Sequence, residues 1–211
     1  SEIEKAALRA SDLVNQILTF SRMKETERKP LRLDKIIDEA LRLLRSTIPT
    51  TIEMKVSIDR VQEYIHADPT QIHQIIMNLC TNASHAMEEK GGILEVSLKK
   101  TFIKPKGDKN HLDLKPGNFL TLGVKDTGYG IPDEIIDSIF DPYFTTKNLG
   151  EGTGLGLSMV QGIVKNCGGD IIVSSKPGKG ALFTIFFPIM EQTKNPDMEK
   201  NDSPLRGGNE K

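Results

Sequence analysis

The chain has 211 residues, of which 37% are hydrophobic and 27% charged, with a formal net charge of −1. That is the make-up of one ordinary globular domain with appendages, and a balance so near neutrality argues against nucleic acid as a partner. No apolar run approaches the ~20 residues that span a bilayer and no signal peptide opens the chain, so a soluble, cytoplasmic piece is expected, with membrane anchoring of any longer parent left open. The two cysteines, Cys80 and Cys167, sit in apolar helical patterns and read as buried small hydrophobes rather than as a disulfide or a metal cage.

Residues 1–28 predict one long helix. Ile3, Ala7, Ala10, Val14, Ile17 and Ser21 recur at spacings of about three and four, with Leu13, Leu18 and Phe20 broadening the stripe. This is the seam of a coiled coil or helical hairpin, or, more plainly, an amphipathic helix packed on its own domain. The stripe is in register from the first residue with no cap ahead of it, so a preceding partner helix is expected outside this sequence. Pro30 breaks the helix. Leu31–Leu33 then reads as a short strand, with Asp34 as the cap of a helix to about Arg45. Strands are expected at Thr51–Ile58 and Glu63–His66.

Asp68-Pro69 opens a long helix to about residue 89, with Ile72, Ile75, Ile76, Leu79, Ala83 and Ala86 on its apolar face and Gly91-Gly92 at its end. Ile93–Phe102 and Asn118–Lys125 read as strands around a polar loop. Residues 132–139 read as a helix, as does Thr153–Asn166, before strands at Asp170–Ser175 and Ala181–Pro188. The tail from Glu191 is polar and aperiodic and is expected to be disordered. Strands in runs, with helices apart from them, predict an α+β fold, a two-layer sandwich, preceded by the single long N-terminal helix.

The chemistry concentrates in Val124–Ser158, VKDTGYGIPDEIIDSIFDPYFTTKNLGEGTGLGLS. It contains no Walker loop and no G-x-G-x-x-G. Asp126 ends a strand and is followed by Gly128 and Gly130. An ionised carboxylate is acceptor-only, so facing a purine it takes a hydrogen bond from the amino group of adenine and repels the carbonyl of guanine. Asp-Thr-Gly also serves aspartic proteases, but those need a second such loop to share the proton, and none occurs here; as a plain turn the tripeptide is unremarkable.

Further on, Gly152, Gly154 and Gly156 alternate with Leu155 and Leu157 and feed a helix. Its unpaired N–H groups and positive dipole end suit phosphate, with Lys147 and His85 as added positive charge. On the helix after Pro69, Asn78 and Asn82 stand one turn apart on one face, with His85 continuing it. Taken alone, such a pair is more often a set of satisfied core amides or caps. Beside phosphates, one amide oxygen suits Mg²⁺, which keeps most of its waters.

In order, HQIIMNLCTNASHAM, DTGYGIP, FDPYFTTK, GEGTGLGLS and GKGALFTIFFP resemble the N, G1, F, G2 and G3 boxes of bacterial sensor histidine kinases, over about residues 30–190. Residues 1–28 resemble the second helix of that family's dimerisation and phosphoacceptor hairpin. Gyrase- and Hsp90-type ATPases share the pocket but lack this F box and this preceding helix. The resemblance implies a Bergerat-type site for ATP and Mg. In it Asn82 holds the metal, Asn78 supports the metal or its waters, Asp126 selects adenine, and Gly128 and Gly130 line the base. Phe144, Thr145, Thr146 and Lys147 form the lid hinge and reach the phosphates, and Gly152, Gly154, Leu155 and Gly156 close over them. Lys147 is the one residue offered a catalytic part. Ala181 departs from the Ser or Thr usual after the last glycines.

The family phosphorylates a histidine followed by an acidic residue. His66, His73, His85 and His111 are followed by Ala67, Gln74, Ala86 and Leu112, so the acceptor is expected outside this sequence. The chain then reads as the kinase part of a protein-histidine kinase, unable to phosphorylate itself. The implied partners are ATP or ADP, the acceptor hairpin, a response regulator or fused receiver domain, and a second copy in the parent. SPLRGGNEK resembles a linker into a receiver domain. The alternatives are a gyrase- or Hsp90-like ATPase and a non-catalytic nucleotide-binding partner module.

Overall fold

The computed structural model describes residues 27–104, 114–146 and 153–190. The expected N-terminal helix, all but its last two residues, and the expected disordered tail lie outside the described residues.

The parallel pair in the fold explains its layering. Strand β1 (Lys29–Leu31) precedes helix α1 (Leu33–Leu44), β2 (Ile52–Ile58), β3 (Ile65–Ala67) and helix α2 (Pro69–Ala86). Then follow β4 (Gly92–Ile103), β5 (Gly117–Lys125), helix α3 (Gly156–Asn166), β6 (Asp170–Ser175) and β7 (Ala181–Pro188). The main sheet has the order β2-β4-β5-β7-β6, and β1 and β3 form a separate antiparallel ribbon. β2 runs parallel to β4, from Ile52 opposite Gly92 to Ile58 opposite Leu98, whereas the other neighbours are antiparallel. A parallel pair needs a long crossover, and α2 is its helix.

All three helices pack on one face of the sheet. Leu94, Val96 and Leu98 of β4, Leu122 and Val124 of β5 and Ile185 and Phe187 of β7 point into the same core as Ile37, Ile72, Ile76, Leu79, Val160 and Ile163. That alternation is the period-2 pattern of a sheet with one dry face. The opposite face carries the row Lys55–Glu95–Lys125, with Lys125 donating to Glu95 at 3.2 Å, and a small cluster of Ile103, Phe119 and Phe186. The two-layer α+β expectation holds.

Several local expectations are corrected. Asp34 does not cap α1: Arg32 occupies the capping position, with φ −90° and ψ 113°, and makes no side-chain cap. Leu33 is fully buried, and burying it draws it into the helix and displaces the strand back to Lys29–Leu31. Asp34 is itself fully buried and receives two hydrogen bonds from Arg32, at 2.8 and 3.1 Å. β3 likewise lies later than expected, at Ile65–Ala67, where Ile65 and Ala67 reach the core and pair with β1. Residues 132–139 form only a 3-10 turn at Asp133–Ile135: Ile135 and Ile136 stay half-buried and only Ile139 reaches the core.

The last helix starts at Gly156, not Thr153, since Gly154 holds φ +65°, which no right-handed helix accommodates. α2 matches its expectation: Asp68 accepts from Thr70 N–H at 2.7 Å and Pro69 takes the first turn. Both cysteines are free. Burial pushes the Cys80 thiol up to about 12 and raises that of Cys167 as well.

Candidate functional site

Asp126 continues the inward alternation of β5 one residue past its end and is 4% exposed. Its Oδ1 accepts from Gly128 N–H at 2.8 Å and from Ala181 N–H at 3.3 Å. Its backbone N–H donates to Ala181 C=O at 2.9 Å. Burial raises its pKa, and the two N–H donors oppose that shift without cancelling it. Among the described residues no partner is found for Oδ2. The result is a buried carboxylate with one oxygen committed to backbone and one available.

The loop after it is clamped on two sides. Against α2, Tyr129 N–H donates to Ala86 C=O at 3.2 Å, and a side chain at Gly128 would collide with that same carbonyl. Against the turn between β6 and β7, Gly178 N–H donates to Tyr129 C=O at 2.7 Å. There Ser175 Oγ accepts from Ile131 N–H and donates to Gly180 C=O, both at 2.8 Å. Thr127 Oγ1 accepts from Ile93 N–H at 2.9 Å, which ties the loop to the start of β4. Gly130 lies against Lys176 C=O.

α2 carries the other half of the site. Asn78 and Asn82 are half-buried, and among the described residues neither amide has a hydrogen-bond partner. Asn82 stands one turn before Ala86, so it lies on the same side of the molecule as the Asp126 loop. Asn78 meets the start of α3: a Cβ on Gly156 would sit 3.4 Å from Asn78 Oδ1. One turn away, Gln74 donates to the Met159 sulfur at 2.5 Å, so the helices run antiparallel and the N-terminus of α3 faces Asn78. α3 has no capping side chain, which leaves its first-turn N–H groups to solvent or a ligand. From Ala86 back to Asn78 is about 12 Å of helix, a length that a base, a sugar and two phosphates span.

The remaining expected residues fall around this line. His85 is exposed in the last turn of α2, about 10 Å beyond Asn78. Phe144 is half-buried and packs on the core, while Thr145 and Thr146 are exposed. Leu155 and Gly154 are half-buried just ahead of Gly156. Lys147 and Gly152 lie outside the described residues.

Sequence reasoning missed four contributors: Thr127, Ser175, Gly180 and Tyr143. Tyr143 holds φ 68°, 76% exposed, and donates its N–H to Gly154 C=O at 3.0 Å. Nothing in a lone Ser, Thr or Tyr announces such a part. Gly180, against Asp126 C=O, was legible as one of the last glycines but not as a neighbour of the carboxylate.

Comparison with known proteins settles the family. The model of histidine kinase-, DNA gyrase B- and HSP90-like ATPases matches residues 67–191, more than half of the chain. The chain belongs to this ATPase family. Within it, the similarity runs to sensor histidine kinases. The sensor kinase CckA of Brucella abortus is 37% identical over 203 residues, covering 96% of this chain and 21% of CckA. The catalytic domain of the histidine kinase ThkA is 28% identical with a TM-score of 0.60, over 77% of this chain and 96% of that domain. ThkA in complex with the response regulator TrrA gives 25% identity and a TM-score of 0.65, over 89% of this chain and 49% of that one. Full-length ShkA in complex with AMPPNP gives 25% and 0.63, over 87% and 38%. The chain thus spans about a fifth of the length of CckA.

The ATPase family implies ATP, whose phosphates commonly travel with a divalent cation. Among the described residues no group of three His, Cys, Asp or Glu is placed to hold a metal. The fit is of another kind. The half-buried Asn78 amide against an uncapped helix start, with Asn82 one turn along α2, matches a cation that takes one or two protein oxygens and fills its shell from phosphate and water. Among the described residues no helix is long and apolar enough to cross a membrane.

Proposed function

We propose that the chain is the nucleotide-binding catalytic part of a sensor histidine kinase, and that it holds Mg-ATP with its γ-phosphoryl group presented to a histidine outside this sequence. The observation that carries the reading is that α2 brings Asn78 against the uncapped start of α3 and its other end against the loop of a buried carboxylate, Asp126, that has one oxygen uncommitted among the described residues, with Asn82 on the helix between them. Asp126 Oδ2 accepts from the 6-amino group of adenine, and Gly128 and Gly130 let the base approach the backbone. Asn82 supplies a metal oxygen and Asn78 steadies that shell. Mg²⁺ bound there neutralises charge on the phosphate oxygens. The N–H groups at Gly156 and the two residues after it receive phosphate oxygens, and the segment from Phe144 through Lys147 and Gly152 to Leu155 closes over them.

The work of these residues is positioning and charge neutralisation for an in-line transfer. No general base is assigned among them; the acidic neighbour of the acceptor histidine takes its proton. The ShkA–AMPPNP and ThkA–TrrA complexes support a nucleotide and a response regulator, separate or fused, as partners. A homodimer built through the hairpin and a cytoplasmic location belong to the same reading, as do a partial hairpin at 1–28 and a linker from 191.

Calorimetric titration of ADP with and without Mg²⁺, for the parent chain and Asn82→Ala, tests the site. Binding that weakens on removing either the ion or the amide is expected, followed by transfer from ATP to a separately supplied acceptor hairpin. Absence of heat at millimolar ADP overturns the proposal.

A further inference from the structure

Among the described residues, Asp126 is aimed by backbone alone. Both donors to Oδ1 are main-chain N–H groups, one in its own loop and one at Ala181, the first residue of β7. Residue 181 has no hydroxyl, so no side chain in that pair of contacts corrects the direction of Oδ2. Its aim therefore depends on how firmly the turn Lys176–Gly180 is held against the loop Thr127–Ile131. The backbone of the turn contributes one direct tie, Gly178 N–H to Tyr129 C=O at 2.7 Å. A single side chain spans both parts: Ser175, whose Oγ accepts from Ile131 N–H and donates to Gly180 C=O at 2.8 Å each. Gly180 in turn lies flush against Asp126 C=O and precedes the Ala181 donor. Ser175 is opposite Ala181 in the β6–β7 register, on the core side of the sheet with Asp126.

We infer that Ser175 is a positioning residue for purine recognition: its hydroxyl sets the hairpin that aims Asp126, and so determines how strongly the site prefers a 6-amino purine over a 6-oxo purine. The inference rests on the nucleotide reading of this site. Both hydrogen bonds of the Ser175 hydroxyl go to backbone of the loop and the turn. Its effect is confined to the contact that Asp126 makes, which separates it from a residue that merely stabilises the fold. Removing the hydroxyl leaves the Ile131 donor and the Gly180 acceptor without their shared partner and frees the hairpin to shift relative to the carboxylate.

The test measures ADP and IDP affinities by calorimetry with Mg²⁺, in the parent chain, Ser175→Ala, Ser175→Cys and Ser175→Thr. In the parent, ADP binds more tightly than IDP; no binding of either overturns the nucleotide reading, and equal affinities overturn the adenine-selecting role of Asp126 on which the inference rests. With that preference present, Ser175→Ala weakens ADP by about tenfold, the scale of one hydrogen-bond network member, and leaves IDP within about twofold, so the preference collapses. Ser175→Thr, which keeps an oxygen at the same place, restores it. Equal weakening of both nucleotides, or an unchanged ratio, overturns the assignment. If Ser175→Ala does not fold, Ser175→Cys carries the test, since a thiol is a poor donor of similar size: a parent-like ratio in it overturns the assignment and a lowered ratio supports it.

Discussion

Replacing Asp126 with Asn isolates the polarity of one oxygen. The amide oxygen can still accept from Gly128 and Ala181 N–H, so the loop keeps its anchor, while the group at the Oδ2 position becomes a donor. Facing a 6-amino group, a donor replaces an acceptor. A hydrogen bond involving a charged partner is worth ~1.5–3 kcal/mol, so ADP should bind about 10- to 150-fold more weakly. IDP, whose 6-oxo group accepts, should be spared or improved. The apo protein should respond in the opposite sense. Burial raises the folded pKa of Asp126, so the native state holds that proton more tightly than the unfolded chain. The associated stability is full below the unfolded carboxyl value and is lost as pH rises through the folded one. Above the folded value the ionised group is a net cost that Asn removes. Apo Asp126→Asn should therefore melt no lower than the parent at pH 7, and any advantage should vanish as pH falls through the carboxylate range. Thermal melts across pH and calorimetry with both nucleotides read all of this. ADP and IDP weakening by the same factor, or a variant whose apo melting point falls sharply, would refute the reasoning.

Gly180→Ala places a Cβ at φ +80° against Asp126 C=O; roughly 2 kcal/mol or more of strain should lower the melting temperature by about 4–8 °C and weaken ADP with it. Arg32→Met leaves the fully buried Asp34 carboxylate without its two hydrogen bonds and should destabilise clearly in denaturant melts, whereas the double change Arg32→Met with Asp34→Leu should recover most of the loss, since an apolar pair of similar size fills the space. Alkylation of native protein at neutral pH should label Cys167 and spare Cys80, which is fully buried with its thiol pushed up to about 12; mass spectrometry of peptides reads the sites.

The fold was legible where one period ran long enough to be unambiguous. α2 announced itself by Asp68, Pro69 and six apolar positions, and β4, β5 and β7 by alternation around fixed glycines. Short elements were misplaced because a single buried residue outweighs local propensity there. Leu33 joined α1 despite the better capping residue beside it, and in the 132–139 stretch the apolar spacing of Ile135, Ile136 and Ile139 suggested a helix although only Ile139 is buried. At the candidate site, the glycines and carboxamides were visible as spaced motifs. Ser175 and Thr127 were not, because their importance comes from partners 44 and 34 residues away, and no local pattern encodes such a pairing.

The crossover position of α2 has a kinetic corollary. β2 can join the edge of the sheet only after the chain has passed through α2 and returned as β4, so the helix bearing Asn78 and Asn82 is locked in by the longest loop closure among the sheet contacts on that side. α3 lies in the still longer connection between β5 and β7, but its first turn has no capping side chain and its leading end meets α2 through Gly156 and the Met159 sulfur. Amide exchange should accordingly be slowest through the middle of α2, opening only with the whole domain, and faster at Leu155–Leu157. On the nucleotide reading, α2 is then the fixed side of the site and the start of α3 the yielding one, and the base should seat first, against the part that does not yield.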